Sequence, residues 1–308
     1  MSRPVEVPSR LDEEGFETLV ERLNGVAPPG DEGRESGGRV LLDARRVRWT
    51  SPYGLVGLLA VGQVARDRTG LAPAIESPES SEIRSYWERM DFWKNAAGVF
   101  QLPSISTRSH RDSDALLEIT PIRSHHDVHH VVERVRERAA AILETQLRYP
   151  KPAVIHFSVI LSEVCQNILE HAEADGWVCA QTYDWKKRLG RQVLVLAVMD
   201  VGVGFQGSLA PEHARRFGDQ WSASAALEAA FLQGESRFRD PGRGQGLQAI
   251  RRQVERWDGG IRIRSGDAMI GRVPEWDDAP SHAEGLPEFP GAQIFIVMPA
   301  RPEEEGAA

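Results

Sequence analysis

An apolar strand, Val193 to Met199, runs directly into the polar turn Asp200-Val-Gly-Val-Gly204, and this junction constrains the fold more than any other stretch of the chain. A carboxylate at a strand end can accept a hydrogen bond from an exocyclic amine. Glycines beside it let a flat base lie against the backbone. A plain Asp/Gly turn fits the same residues.

Around this junction strands alternate with helices. Helical spacing of Phe16, Leu19, Val20 and Leu23 predicts a helix over Gly15 to Leu23. Arg39 to Asp43 reads as a buried strand, Tyr53 to Arg68 as a helix, Leu71 to Ile75 as a short strand and Ser80 to Met90 as a helix. Further on, Asp127 to Leu147 and Phe157 to Ala172 read as helices, Trp177 to Tyr183 as a strand, and Gln245 to Trp257 as a third helix. Gly260 to Arg264 and Gln293 to Met298 complete the strands, and Gly271 to Pro290 reads as an irregular surface excursion between them. The pattern is α/β. The C-terminal sheet is expected to be mixed or antiparallel, with helices on one face. Polar stretches at 26–38 and 101–114 read as loops. The second sets a boundary between an N-terminal domain, 1–110, and a C-terminal domain, 111–302, followed by an acidic tail, 303–308.

Two more motifs carry chemistry. Glu163, Asn167 and His171 are spaced i, i+4, i+8 and share one helix face. A carboxylate there can polarise an attacking hydroxyl, and an amide oxygen can ligate Mg²⁺ beside phosphates. A solvated polar stripe has the same pattern. The segment Gly242-Arg-Gly-Gln-Gly246-Leu247 opens a helix. Free N–H groups at a helix start bind anions. The segment lacks the Lys-Ser/Thr of a Walker A motif and the strand context of a Rossmann fingerprint.

Taken together and in this order, the three motifs resemble those of the GHKL, or Bergerat-fold, ATP-binding proteins, over roughly Leu116 to Pro299. The resemblance implies an α/β sandwich binding ATP and Mg²⁺. By position it implies that Asn167 ligates Mg²⁺ and that Asp200 holds the adenine amine, with Gly202 and Gly204 flanking the base. Gly242, Arg243, Gly244, Gly246 and Leu247 belong to the ATP-binding loop, Glu163 is the general base, and Phe205 to Pro241 is the lid. Ala292 stands where many relatives have a Thr that helps hold adenine. The run Glu163 to His171 is most similar to the anti-sigma-factor serine kinases.

Val40 to Val47, followed by Thr50-Ser-Pro-Tyr-Gly54-Leu55 and a helix, resembles a STAS domain over roughly Leu11 to Phe100. Any strand–turn–helix unit of an α/β domain shares the pattern. Aligned on Gly54, the phosphoacceptor serine falls at Pro52, which has no hydroxyl. An interaction module is therefore expected rather than a phospho-switch.

The remaining candidates are weaker. His125, His126, His129 and His130 form i, i+4 pairs, but no third zinc ligand is evident, so a solvated helix end is expected. Cys165, on the helix carrying Glu163, is expected in the core, and the eight tryptophans read as packing. Two cysteines and a polar N-terminus suit a reducing cytoplasm, and no apolar stretch reads as a membrane helix. A net charge of -8 argues against a general nucleic-acid or membrane-surface binder. The expectation is a cytoplasmic, ATP- and Mg²⁺-binding regulator with slow ATPase or protein Ser/Thr kinase activity in partner-switching signalling. The alternative is a nucleotide-gated protein-binding module without turnover. The expected partner is a protein, with a homodimer as one form of it.

Overall fold

Alternation along one strand organises the structure. In β8, Gln192–Asp200, the side chains of Leu194, Leu196 and Val198 join one apolar cluster, whereas Val193, Val195, Ala197 and Met199 join another. Successive residues of a strand point to opposite faces. Both faces of this strand are therefore inside the protein. The computed structural model describes residues 2–30, 38–102, 116–172, 174–185, 189–235 and 245–302.

β8 is the central strand of a five-stranded sheet in the order β6-β7-β8-β10-β9. The other members are β6 (Leu117–Ile122), β7 (Gly176–Asp184), β9 (Gly260–Arg272) and β10 (His282–Pro299). Every neighbouring pair in it is antiparallel. Helices α5 (His125–Ala139), α6 (Lys151–Asn167) and α9 (Gln245–Arg256) contribute Val131, Phe157, Leu161, Ile250 and Val254 to the cluster on the first face.

The second face is covered by the N-terminal part of the chain. Here β1 (Arg3–Glu6), β3 (Val40–Asp43) and β5 (Ala74–Glu76) form a parallel sheet in the order β1-β3-β5, and β2 (Arg10–Leu11) pairs with β4 (Trp49–Thr50). Helices α1 (Glu13–Val26) and α2 (Pro52–Thr69) lie between this sheet and the larger one, α1 against β10 and α2 against β7 and β8. Helix α2 is apolar almost all round and buries 14 of its 18 residues, as a helix between two layers must. Its ends are fixed by Ser51 Oγ, which accepts from Gly54 N at 3.0 Å, and by Gly70 in the left-handed conformation at φ 68°. Helices α3 (Ser81–Arg89) and α4 (Phe92–Ala96) close this layer with Trp87, Phe92 and Trp93.

The mixed α/β class holds, with parallel and antiparallel sheets both present. Four details differ from expectation. The larger sheet carries helices on both faces, because its outward residues are apolar and need cover. The expected excursion at Gly271 to Pro290 is largely a hairpin, since β9 and β10 continue past it with His282 opposite Ile270. Pro287 and Pro290 fall in its irregular register, where no ladder N–H is required. The expected lid is helical through α7 (Gly204–Phe217) and α8 (Ala223–Glu228) and onward in a π-helical turn to Gln233; Ser236 to Gly244 lie outside the described residues. Lastly, Lys151–Glu170 is long and apolar enough to cross a membrane by length and composition, with 50% of the window buried against the rest of the fold.

The two-sided burial of β8 has a measurable consequence. Heating the full chain is expected to give one cooperative transition, followed by near-UV circular dichroism of the tryptophans. A fragment of residues 116–302 would expose Val193, Val195, Phe295 and Val297 and should bind a hydrophobic dye and aggregate. Two separated transitions, or a monodisperse fragment, would count against the shared core.

Candidate functional site

Residues from distant parts of the sequence converge on one cavity of about 360 Å³ between α6, the end of β8 and the start of α9. Its wall holds Glu163 and Asn167 from α6, Asp200 and Gly204 from the turn after β8, and Gly246 and Leu247 from α9. These six are site residues expected from sequence, brought together from three segments.

Asp200 is the most constrained of them. Its residue is 6% exposed, and Oδ1 accepts from Gly202 N at 3.0 Å and from Ala292 N at 3.2 Å. Both donors meet the same oxygen, and among the described residues Oδ2 accepts no hydrogen bond. Burial pushes the carboxyl from its ordinary 3.8 up to about 6, against the pull of the two backbone N–H groups. Ala292 therefore serves the site through its backbone, whatever its side chain lacks.

The glycines here are set by close approach. At Gly291, φ is +79°, and a Cβ would collide with the Asp200 carbonyl. A Cβ on Gly202 would collide with the Ala172 carbonyl at the end of the α6 segment, whose oxygen accepts from Val203 N at 3.0 Å. Gly202 is thus a packing position behind the cavity, whereas Gly204 lines it. Of the two glycines expected beside a base, Gly204 is on the cavity wall and Gly202 is not.

On α6, Glu163 and Asn167 sit one turn apart on the cavity side. The helix then widens into a π-helical turn, Ile168–Ala172, which breaks the i, i+4 register. The side chain of His171 lies outside the described residues. Glu163 lies against the first turn of α9, where a Cβ on Gly246 would come within 2.5 Å of its Oε2. Gly242, Arg243 and Gly244 lie outside the described residues.

Sequence reasoning missed several contributors. Gln166, Glu170, Phe205, Ser208 and Glu235 also line the cavity. Ser265 Oγ accepts from Phe205 N at 3.1 Å and donates to Gly291 O at 2.7 Å, which locks the glycine turn to β9. Gln293, fully buried at the start of an apolar run, donates to Asp200 O at 3.3 Å and Pro290 O at 2.9 Å. A buried amide in such a run was the one available signal.

The oxygen donors of Glu163 and Asn167 suit a hard cation held chiefly by a ligand's own phosphates. Among the described residues no cluster of three or more His, Cys, Asp or Glu forms a metal cage, and the histidines at 125, 126, 129 and 130 are exposed, with His129 paired to Glu133 at 3.2 Å. Cys165 and Cys179 are buried, unbridged, and raised in pKa by burial. A second groove of about 530 Å³, beside Tyr149, His156 and Trp257, contains none of the expected site residues. No protein-family model matches this chain, and no curated protein matches it.

The raised Asp200 gives a pH-dependent stability. Below the unfolded value near 3.8 both states are protonated and the burial penalty is absent. As pH rises from about 3.8 to about 6 the unfolded carboxyl ionises while the buried one resists, and stability of order 3 kcal/mol is lost by about 6. Asp200→Asn, which keeps the Oδ1 acceptor, is expected to melt several degrees above wild type at neutral pH. The gap should close towards about pH 4 in a thermal-shift series. A pH-independent gap would contradict a desolvated carboxylate.

Proposed function

We propose that this chain is a GHKL-type ATP-binding regulator, with residues 111–302 as the nucleotide domain and residues 1–110 as a STAS-like partner module. The observation that carries the reading is the convergence of Glu163/Asn167, Asp200/Gly204 and Gly246/Leu247 on one cavity. None of these pairs has a structural need for the others. Their meeting is what a site for base, metal and phosphates requires.

The roles follow from position. Asp200 Oδ2 would accept from the adenine amine, and ionisation of Asp200 favours that bond. Asn167 would supply one oxygen to Mg²⁺, whose chemistry is to neutralise phosphate charge. The N–H groups at the start of α9 would meet the phosphates. Glu163, against that same helix start, would take the proton from an attacking water or a protein hydroxyl. Two buried, unbridged cysteines suit action in the cytoplasm. The proposed activity is slow ATP hydrolysis or transfer to a protein Ser/Thr within a partner-switching system.

The module reading of the N-terminal part has its own support. Pro52 occupies the acceptor position and is buried, and its carbonyl accepts from Cys179 Sγ at 3.5 Å. Neighbouring Ser51 caps α2, and Thr50 accepts from Trp87 Nε1 at 3.2 Å. Both hydroxyls are enclosed and committed to structure. This favours contact-based signalling and keeps alive the alternative of a nucleotide-gated module without turnover.

ATP binding and turnover separate cleanly in one experiment. With Mg²⁺, a fluorescent ATP analogue should bind wild type. Glu163→Gln should bind it within about threefold yet lower phosphate release or partner labelling by about 100-fold or more. Equal rates in the two proteins would remove Glu163 as the base. Binding with no release under any condition would select the module without turnover.

A further inference from the structure

Beneath Asp200, on the opposite face of the sheet, lies a buried guanidinium. Arg264 of β9 has a side chain 2% exposed, and all five of its N–H donors are used. Nε donates to Glu17 Oε1 at 2.6 Å and Nη2 to Glu17 Oε2 at 3.1 Å, a two-pronged pair with α1. Nη1 donates to Gly266 O at 3.0 Å and to Gln293 Oε1 at 3.3 Å, and Nη2 also donates to Pro287 O. The rings of Phe16 and Phe289 lie beside the guanidinium, their centroids 5.7 and 5.8 Å from its carbon.

This arrangement dictates the orientation of Gln293. An Arg N–H can only donate, so the amide must turn its oxygen to Arg264 and its nitrogen to the far side. That nitrogen holds the carbonyls of Asp200 and Pro290. Between them these carbonyls fix both sides of the turn contact in which Ala292 N donates to Asp200 Oδ1. We infer that Glu17, Arg264 and Gln293 are positioning residues through which the docked N-terminal helix sets the Asp200 carboxylate and so selects the nucleotide base. The inference rests on the reading of Asp200 as the base-binding group.

Energetics give the chain of contacts its direction. A buried guanidinium deprived of its carboxylate is strongly unfavourable and must move or recruit water. Glu17 is the more exposed partner, at 26%, and is the end that a change in the N-terminal unit reaches first. Arg264 shifted from Gln293 frees the amide to rotate, and the Asp200 turn loses its clamp. Coupling between sites linked in this way commonly changes affinity by 5- to 150-fold.

The test uses the full chain and two nucleotides, ATP and ITP, with Mg²⁺. ITP carries a carbonyl oxygen where adenine has its amine, so the bond from the exocyclic amine to Asp200 exists only with ATP and the ITP oxygen is repelled by the carboxylate. Wild type should prefer ATP. Glu17→Gln should lower the ATP-to-ITP affinity ratio about tenfold, through loss of ATP affinity with ITP unchanged. Glu17→Asp, which keeps the charge, should recover part of the ratio, and Glu21→Gln on the exposed side of the same helix should leave it intact. Gln293→Ala, checked for folding by its melting curve, should behave as Glu17→Gln does. General destabilisation would weaken both nucleotides alike and would overturn the positioning role, as would an unchanged ratio in Glu17→Gln. A wild type that does not distinguish ATP from ITP would instead remove the base-binding reading itself.

Discussion

The central strand β8 is buried on both faces, and most of the architecture follows from that. An antiparallel sheet ordinarily leaves one face to water, with polar residues alternating. Here Val193, Val195, Ala197 and Met199 replace that polar set, and Trp177, Cys179, Phe295 and Val297 extend the apolar surface onto the neighbouring strands. A surface of this size needs cover. Helices α1 and α2 supply it, and α2 is apolar almost all round because it separates two sheets. The N-terminal part is thus packed into the same interior as the candidate site. Tyr86 and Tyr183 share a hydrogen bond of 2.8 Å across that contact, and Phe16 packs edge-on to Phe289 and Tyr53.

What the sequence revealed, and what it hid, divides along a physical line. The residues that meet at the cavity were legible as chemical motifs: Asp200 at a strand end, Glu163 and Asn167 one helical turn apart, and Gly246 in the first turn of α9. The strands and helices were legible wherever periodicity was strong, as in α1, α2 and β8. The second cover on the sheet was not, since an apolar run records that a strand is buried but not by what. The Ile-Arg-Ile-Arg pattern from Ile261 to Arg264 shows this most directly. Alternation reads as one face to solvent, yet the outward arginines meet Glu13 and Glu17, one turn apart on α1. Partners nearly 250 residues apart in the chain leave no local trace in either segment. The hairpin of β9 and β10 was hidden for the opposite reason, because its prolines mark bulges rather than an end to the strands.

The site is built at some expense to the fold. Ionising Asp200 at its buried position is unfavourable, and the sequence places it beside two glycines that leave no room for a side chain. An asparagine would satisfy the same two backbone donors without that penalty. The widening of α6 at Ile168 belongs to the same account. A π-helical turn sacrifices regular bonding, and this one delivers the Ala172 carbonyl to Val203 N directly behind Asp200.

These features bear on how two parts of one chain could communicate. A tethered module signals through a linker and is indifferent to the state of the site. Here the strand that ends in Asp200 also packs directly against α2, so the two parts share one interior. The hydroxyls of Thr50 and Ser51 at the start of α2 are buried, so a change at the N-terminal unit reaches the sheet through packing and ion pairs. The ion pairs of α1 with Arg262 and Arg264 are the natural point of action. In both pairs the acid is the more exposed member, so a change at the surface of α1 reaches the carboxylates before the arginines. A buried ion pair contributes little net stability when intact but a large penalty when broken. That asymmetry suits a contact that reports on docking more than one that merely holds it.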